Sequence, residues 1–312
     1  MSDDGEKMTW RSWALGLGAL AAAMGVFTLF MHLRVLYLGV DSVAGFAVRG
    51  DQVVVFERVF GGEESIGGDR LVRLDVRTGE VKKRVRADDG EWLGEVDGLV
   101  WFKRHDGLEA RDFDSLEVKH AAKDLLQKFP ELAGIERLLC ADRGAHAIRF
   151  TAPDGRHVRF DLASQVMSPT DDTGCGSTSA EGVSGTLPDG RTLELRRVPQ
   201  TARSELAIAG GEALGSSGLE VNLLVDWRRK ALARVDDDVL FVRRTGTAED
   251  SPTQLVRVSP TEKKERWATS LHDGRLGFED LVIVDGVIVL GDGHRVFALD
   301  AATGALKWKR TP

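Results

Sequence analysis

At 312 residues the chain has room for one large domain or two ordinary ones, and with 42% hydrophobic and 29% charged residues it buries a core rather than staying disordered. The formal charge is −7, with Lys and Arg scattered among Asp and Glu; that leaves no basic stripe to neutralise phosphates, so nucleic acid is not an expected partner. The 35 glycines suit a β protein rich in turns.

Residues 1–12 read as a tail. Trp13–Met31, WALGLGALAAAMGVFTLFM, follows as 19 residues without a charge. As a helix it would rise about 28 Å, close to the hydrocarbon thickness of a bilayer. Trp10 and Trp13 on one side and Tyr37 on the other suit the two interfaces. A cleaved signal would end at small residues such as Ala19–Ala23, yet apolar chain continues beyond them. A buried soluble helix would show a polar face, and this run has none. No cysteine is near enough for a lipid anchor. The expectation is an uncleaved membrane anchor through residues 13–31, with its flank reaching 38. Lys7 and Arg11 before the span, against Arg34 after it, leave the bulk of the chain outside the cytoplasm.

From residue 41 onward a repeat appears. Leu71–Arg84 reads LVRLDVRTGEVKKR and Val296–Lys309 reads VFALDAATGALKWK. Leu74, Asp75, Thr78, Gly79 and Lys82 match Leu299, Asp300, Thr303, Gly304 and Lys307 at a constant offset of 225. Five steps of about 45 residues, the period of a propeller blade, fill that interval. Weaker copies place Asp112 with Ser115, and Asp161 with Ser164, in register. Ser259 takes the Asp position in a further copy, and Trp267 follows it as Trp308 follows Asp300. Another copy belongs between Asp161 and Ser259, and Leu223–Val235 offers Asp226 for it.

The motif is a strand, a turn and a strand. Asp or Ser accepts from its own backbone two residues on and starts the turn. Gly supplies positive φ, and Trp packs a wide ring between sheets. A hairpin precedes the motif at Gly50-Asp51, Asp97-Gly98 and Asp285-Gly286. Four short strands per unit predict an all-β fold over 41–312, a β-propeller of about six four-stranded blades, with five to seven allowed. A two-layer sandwich would need no repeat at fixed offset. His120–Gly134 interrupts the pattern with Ala121, Leu125 and Phe129 at helical spacing, which predicts an inserted helix across one face.

Chemistry-bearing motifs are sparse. Cys140 and Cys175 sit in no CxxC pair and have no His at metal-ligand spacing, so zinc is not expected; a disulfide between them and two unpaired thiols both remain open. Asp236-Asp237-Asp238 lacks the EF-hand pattern and reads as a solvated turn. The Asp and Thr-Gly of the repeat serve turns and are not ligands.

RVFALDAATGALKWKR and RLVRLDVRTGEV resemble the repeat of the quinoprotein-dehydrogenase-like propellers, the PQQ-like repeat. The resemblance covers Asp41 to Arg310 in architecture and is specific in these two units. It implies a ring of blades. The family includes quinone-dependent alcohol dehydrogenases and non-enzymatic envelope scaffolds, such as the lipoprotein of the outer-membrane protein assembly machinery. A dehydrogenase of the family has an adjacent cysteine pair and a calcium site. Here the cysteines are 35 residues apart, and no Asn/Asp/Glu cluster falls on the calcium positions. An anchor followed by a propeller is similar to the scaffold group. The expectation is a membrane-anchored, non-catalytic scaffold of the bacterial envelope that needs no cofactor and binds a protein partner or ligand. The alternative is a divergent enzyme with its site at the mouth of the central channel.

Overall fold

Asp-Gly pairs and Asp-led turns cut the chain into short strands, and the inner strands Gln52–Val59, Gly68–Asp75, Val287–Gly291 and Val296–Asp300 are buried on both faces, while the outer strands Val81–Ala87 and Leu306–Arg310 are not. The computed structural model describes residues 24–26, 42–59, 68–87, 90–142, 146–171, 185–187, 189–201, 203–226, 231–248, 250–273, 280–292 and 294–310. Sheet 1 comprises β1 (Ser42–Arg49), β2 (Gln52–Val59), β3 (Gly68–Asp75) and β4 (Val81–Ala87), antiparallel and in chain order. Sheet 2 follows with β5 (Gly90–Val96), β6 (Leu99–Arg104), β7 (Gly107–Asp112) and β8 (Val118–His120). Next come α1 (Ala122–Lys128) and a 3₁₀ segment (Pro130–Arg137). Sheet 3 comprises β9 (Leu138–Asp142), β10 (Ala147–Thr151), β11 (His157–Asp161) and β12 (Val166–Pro169).

Sheets 4 and 5 share a strand. β13 (Leu193–Arg197) and β14 (Ser204–Ile208) pair in order with the first half of β15 (Ala213–Leu223). A single bridge between Thr186 and Thr192 precedes them. The second half of β15, from Leu219, pairs with β19 and opens sheet 5. A two-stranded excursion, β16 (Val225–Asp226) with β17 (Ala231–Leu232), interrupts this inner strand before β18 (Arg234–Val235) resumes pairing with β19. β19 (Asp238–Arg244), β20 (Pro252–Ser259) and β21 (Lys264–Asp273) complete sheet 5. Sheet 6 is β22 (Asp280–Val284), β23 (Val287–Gly291), β24 (Val296–Asp300) and β25 (Leu306–Arg310).

The expected turns recur in detail. Asp75 Oδ1 accepts from Arg77 N, Thr78 N and Thr78 Oγ1 at 3.0, 2.9 and 2.9 Å. Asp300 Oδ1 repeats this with Ala302 N, Thr303 N and Thr303 Oγ1 at 3.1, 3.0 and 3.0 Å. Asp112 accepts from Asp114 N and Ser115 N, and Asp161 from Ser164 N and Oγ. Ser259 Oγ accepts from Glu262 N. Each turn then needs a left-handed residue. Gly79 (φ 71°) and Gly304 (φ 74°) supply it in two copies, and Leu116, Gln165 and Lys263 adopt φ 53–57° in the others.

Glycine is demanded by a ring as well as by φ. A Cβ on Gly79 would lie 2.6 Å from Trp308 Cγ, and one on Gly304 would lie 2.6 Å from Trp267 Cδ2. Trp308 Nε1 donates to Val76 O at 2.8 Å and Trp267 Nε1 to Ala301 O at 3.2 Å, so each indole clasps the turn of the following sheet. Gly79→Ala is therefore expected to cost about 2–4 kcal/mol, strain and overpacking together. Lys263→Gly, at an exposed turn, should change stability by less than about 1 kcal/mol. Urea unfolding of the two variants checks the contrast.

Apolar clusters join the sheets in series. Val55 and Leu74 of sheet 1 pack with Val289, Ala298 and Trp308 of sheet 6. Phe56 and Leu71 meet Trp92, Phe102 and Phe113 of sheet 2. Trp101 and Ala110 of sheet 2 pack, with Leu125 of α1, on Phe150 and Phe160 of sheet 3. Leu193 and Leu206 of sheet 4 meet Phe241 and Val256 of sheet 5. Leu240 and Leu255 of sheet 5 meet Leu290 and Phe297 of sheet 6. The packing thus runs 4-5-6-1-2-3, a propeller arrangement. Sheets 1 and 6 each use strands consecutive in the chain, and among the described residues side chains fasten one to the other, apart from Val43 N donating to His294 O at 3.0 Å. Glu57, wholly buried in β2, accepts from Arg70 Nε at 2.7 Å and from Arg310 Nε of sheet 6 at 2.7 Å.

One expectation needs correcting and one refining. Asp226 is not a repeat turn: it lies in β16, and the missing unit is sheet 4, whose corresponding turn is a tight one closed by Gly210 (φ 68°) without an Asp. The helix expected near 120–134 is present there but shorter. α1 stops at Lys128 because Pro130 follows, the residue before a proline disfavours helix, and the chain continues as 3₁₀. Its apolar side is wedged between sheets 2 and 3, with Leu125 buried. No helix among the described residues is long and apolar enough to cross a membrane. The expected span at 13–31 lies outside the described residues except for Met24–Val26, which are helical.

Candidate functional site

The two-residue turns that open the sheets and the Asp-led turns that close them lie on one face of the ring. Where sheets 5, 6 and 1 meet on that face they line an open cavity of ≈ 350 Å³. Asp236 comes from the β18–β19 turn, Asp285 and Gly286 from the β22–β23 turn, and Asp300–Ala302 from the closing turn of sheet 6. Arg77 reaches in from the closing turn of sheet 1, Arg257 from β20 and Lys307 from β25. Asp236 and Asp285 hold φ of 56° and 48°, the left-handed values that a type I′ turn requires of its first central residue.

The charges in the cavity are largely engaged with one another. Arg257 donates to Asp238 Oδ2 at 2.7 Å, Ala301 O at 2.8 Å and Asp236 Oδ2 at 3.3 Å. Asp238 also takes Arg266, so the Asp236–Asp238 run serves ion pairs and a turn. Arg77 crosses the 6–1 junction to Asp285 at 3.3 Å, and Lys307 meets Asp300 at 3.2 Å. Polar capacity remains on Asp236, 84% exposed, and on the largely exposed side chains of Asp285 and Arg77. A neutral-pH general acid needs a raised carboxyl, whereas Asp300 is held below its ordinary value, chiefly by the Thr303 backbone N–H.

The same cause lowers Asp75 through Thr78 N–H, Asp112 through Ser115 N–H and Asp161 through Ser164 N–H. A carboxyl lowered on folding stabilises the fold above its unfolded pKa and loses that contribution as pH falls through the folded value. The turns should thus be at full strength near neutrality and weaken once pH drops below the ordinary aspartate value of 3.8. Acid titration of stability should therefore fall less steeply below that pH in an Asp75→Asn/Asp300→Asn chain than in the wild type.

Of the residues singled out in the sequence, the structure brings Asp236, Asp285, Gly286, Asp300 and Lys307 to the cavity. Asp75, Thr78, Gly79, Asp112, Asp161, Ser259 and Thr303 serve turns, and Trp267, Trp308 and Gly304 form clasps. Cys140, in β9, is disulfide-bonded; Cys175 lies outside the described residues. Sequence reading missed Arg77 and Arg257 and gave Asp236 and Asp285 only as turn residues; the four come from three repeats. It also missed that KKRVR and KWKR, read as scattered charge, occupy the same repeat position, the outer strands β4 and β25 of neighbouring sheets.

The fold is thus mostly β, with successive antiparallel sheets in a propeller arrangement that rests on sheet order and inter-sheet packing. No family model matches the chain, and no curated protein matches it in sequence. Among solved structures it is similar to the acylaminoacyl peptidase of Pyrococcus horikoshii, at TM-score 0.32 and 8% identity over 88% of this chain. The chain spans 46% of that peptidase's length. It is also similar to KlHsv2 with loop 6CD replaced by a Gly-Ser linker, at TM-score 0.34 and 10% identity, covering 87% of this chain and 99% of that one. A third likeness is to the β-propeller domain of the Trilobed protease from Pyrococcus furiosus, at TM-score 0.27 and 10% identity, covering 85% and 82%.

Proposed function

We propose that the chain is a membrane-anchored propeller of the PQQ-like repeat type that holds a partner rather than turning over a substrate. The observation that carries the reading is the cavity shared by sheets 5, 6 and 1, whose basic and acidic groups are already paired while exposed carboxylate and guanidinium edges remain for a polar segment laid across them. The matched Asp-Thr-Gly turns and clasping indoles of sheets 6 and 1 support the repeat assignment. The disulfide of Cys140 suits an exported domain, and Cys175 is its proposed partner; peptide mapping without reductant should recover the two linked.

A photo-crosslinking residue placed at Ala302, in the cavity wall, tests the reading. Asp154, in the β10–β11 turn on the opposite face, is the control. Intact membranes are expected to give a discrete adduct from 302 and none from 154. Adducts from 154 alone, or a chain that alkaline washing strips from the membrane, would overturn it.

A further inference from the structure

In the chain, Lys82–Arg86 and Lys307–Arg310 are separated by more than two hundred residues. In the ring they lie on β4 and β25, the outermost strands of sheets 1 and 6, which pack on each other through Trp308 and Val81. β4 presents Lys82, Lys83, Arg84 and Arg86, and β25 presents Lys307, Lys309 and Arg310. Acidic partners are few. Lys82 meets Glu80, Lys307 meets Asp300, and Arg310 shares the buried Glu57 with Arg70. Among the described residues, Lys83, Arg86 and Lys309 have no carboxylate partner.

Protection of an edge strand does not require this. β12, the outermost strand of sheet 3, reads VMSP and carries no charge at all. The concentration of cations on one edge of a chain with formal charge −7 is what sets this rim apart. We propose that the rim formed by β4 and β25 is the edge on which the ring rests against an anionic phospholipid surface. The proposal rests on the anchor reading: residues 32–41 separate the apolar run from β1, so a tethered ring stays within about 35 Å of the bilayer. That distance lets weak contacts suffice, because tethering raises the local concentration of headgroups. Lysine and arginine also reach such a surface while their stems lie along the strand. Phosphate on a lipid is favoured over phosphate on nucleic acid, because the expected span delivers the rim to a membrane.

The test uses the full chain in lipid nanodiscs, either neutral phosphatidylcholine or the same lipid with phosphatidylglycerol. A dye is attached through an azido residue at Leu306, exposed on β25, or at Val166, exposed on β12 as the control. Headgroup-quencher lipids then report proximity. Quenching is expected at 306 and not at 166, in anionic discs only. It should fall at least about fivefold for each site changed in Lys83→Glu and Lys309→Glu, since each reversal removes a cation and adds an anion. Lys83→Gln/Lys309→Gln serves if the reversal does not fold, and should give the same direction. Quenching that is equal at both positions, or indifferent to lipid charge, overturns the proposal, as does release of the rim by duplex DNA at matched charge. Retention on discs after alkaline washing reads the anchor separately. A chain that leaves both discs removes the anchor reading, and binding of the free chain to vesicles of the same two mixtures then decides the rim, equal binding overturning it.

Discussion

Glu57→Gln is expected to destabilise the chain by about 3–5 kcal/mol, the cost of breaking a buried ion pair by removing one member. The carboxylate is 0% exposed and lies between Arg70, 3% exposed, and Arg310 of the last sheet. Glutamine keeps the shape but not the charge, so buried Arg70 would lose the carboxylate that Glu57 sets against its Nε. Arg310→Met should cost less. Its side chain is 21% exposed, and its loss leaves the Glu57–Arg70 pair intact. Urea unfolding followed by tryptophan fluorescence gives both numbers. A Glu57→Gln cost below about 1 kcal/mol, or a larger cost for Arg310→Met, would mean that this pair does not fasten the first sheet to the last.

Trp308→Ala is expected to cost a similar amount, about 3–5 kcal/mol, the range for emptying a buried aromatic site. The indole is 9% exposed, fills the seam cluster beside Val55 and Leu74, and supplies the donor for Val76 O. For a chain of this size the loss corresponds to roughly 6–20 °C in melting temperature. Trp308→Phe should fall between the two, since the ring volume largely stays while the carbonyl loses its donor. Trp267→Ala should be milder, because that indole is only partly buried. Calorimetry across the four chains would show the order. A Trp267→Ala loss exceeding that of Trp308→Ala would contradict the burial argument.

What could be read from sequence was local. Asp75, Asp112, Asp161 and Asp300 announce their turns because the accepting oxygen and the donating amides lie within three residues of one another. Asp97-Gly98 and Asp285-Gly286 announce hairpins because both residues must take positive φ, and both do. Sheet 4 escaped the pattern because its turn relies on Gly210 and lacks an Asp; the better-looking Asp226 sits in an excursion. The cavity was illegible for a different reason. Arg77, Asp236 and Asp285 each look like ordinary turn residues, and only the packing of sheets 5, 6 and 1 makes them neighbours. The basic rim left a readable trace, since both runs follow the same Asp-Thr-Gly motif, yet composition averaged over the chain hid it.

The left-handed position of the turn tolerates Leu116, Gln165 and Lys263, so backbone conformation alone is not what keeps Gly79 and Gly304. An indole lies on each of those two turn glycines, and in sheet 3 the residue at that place, Gln165, instead meets His120 at 3.0 Å. Glycine in one unit and tryptophan in the unit before it therefore form a single heritable character divided between two repeats. Once the indole is lost, its neighbour's glycine is free to drift, and the copy fades from view even though its sheet persists. Degenerate copies in this ring should be sought as broken pairs across a junction, not as weakened motifs within one unit.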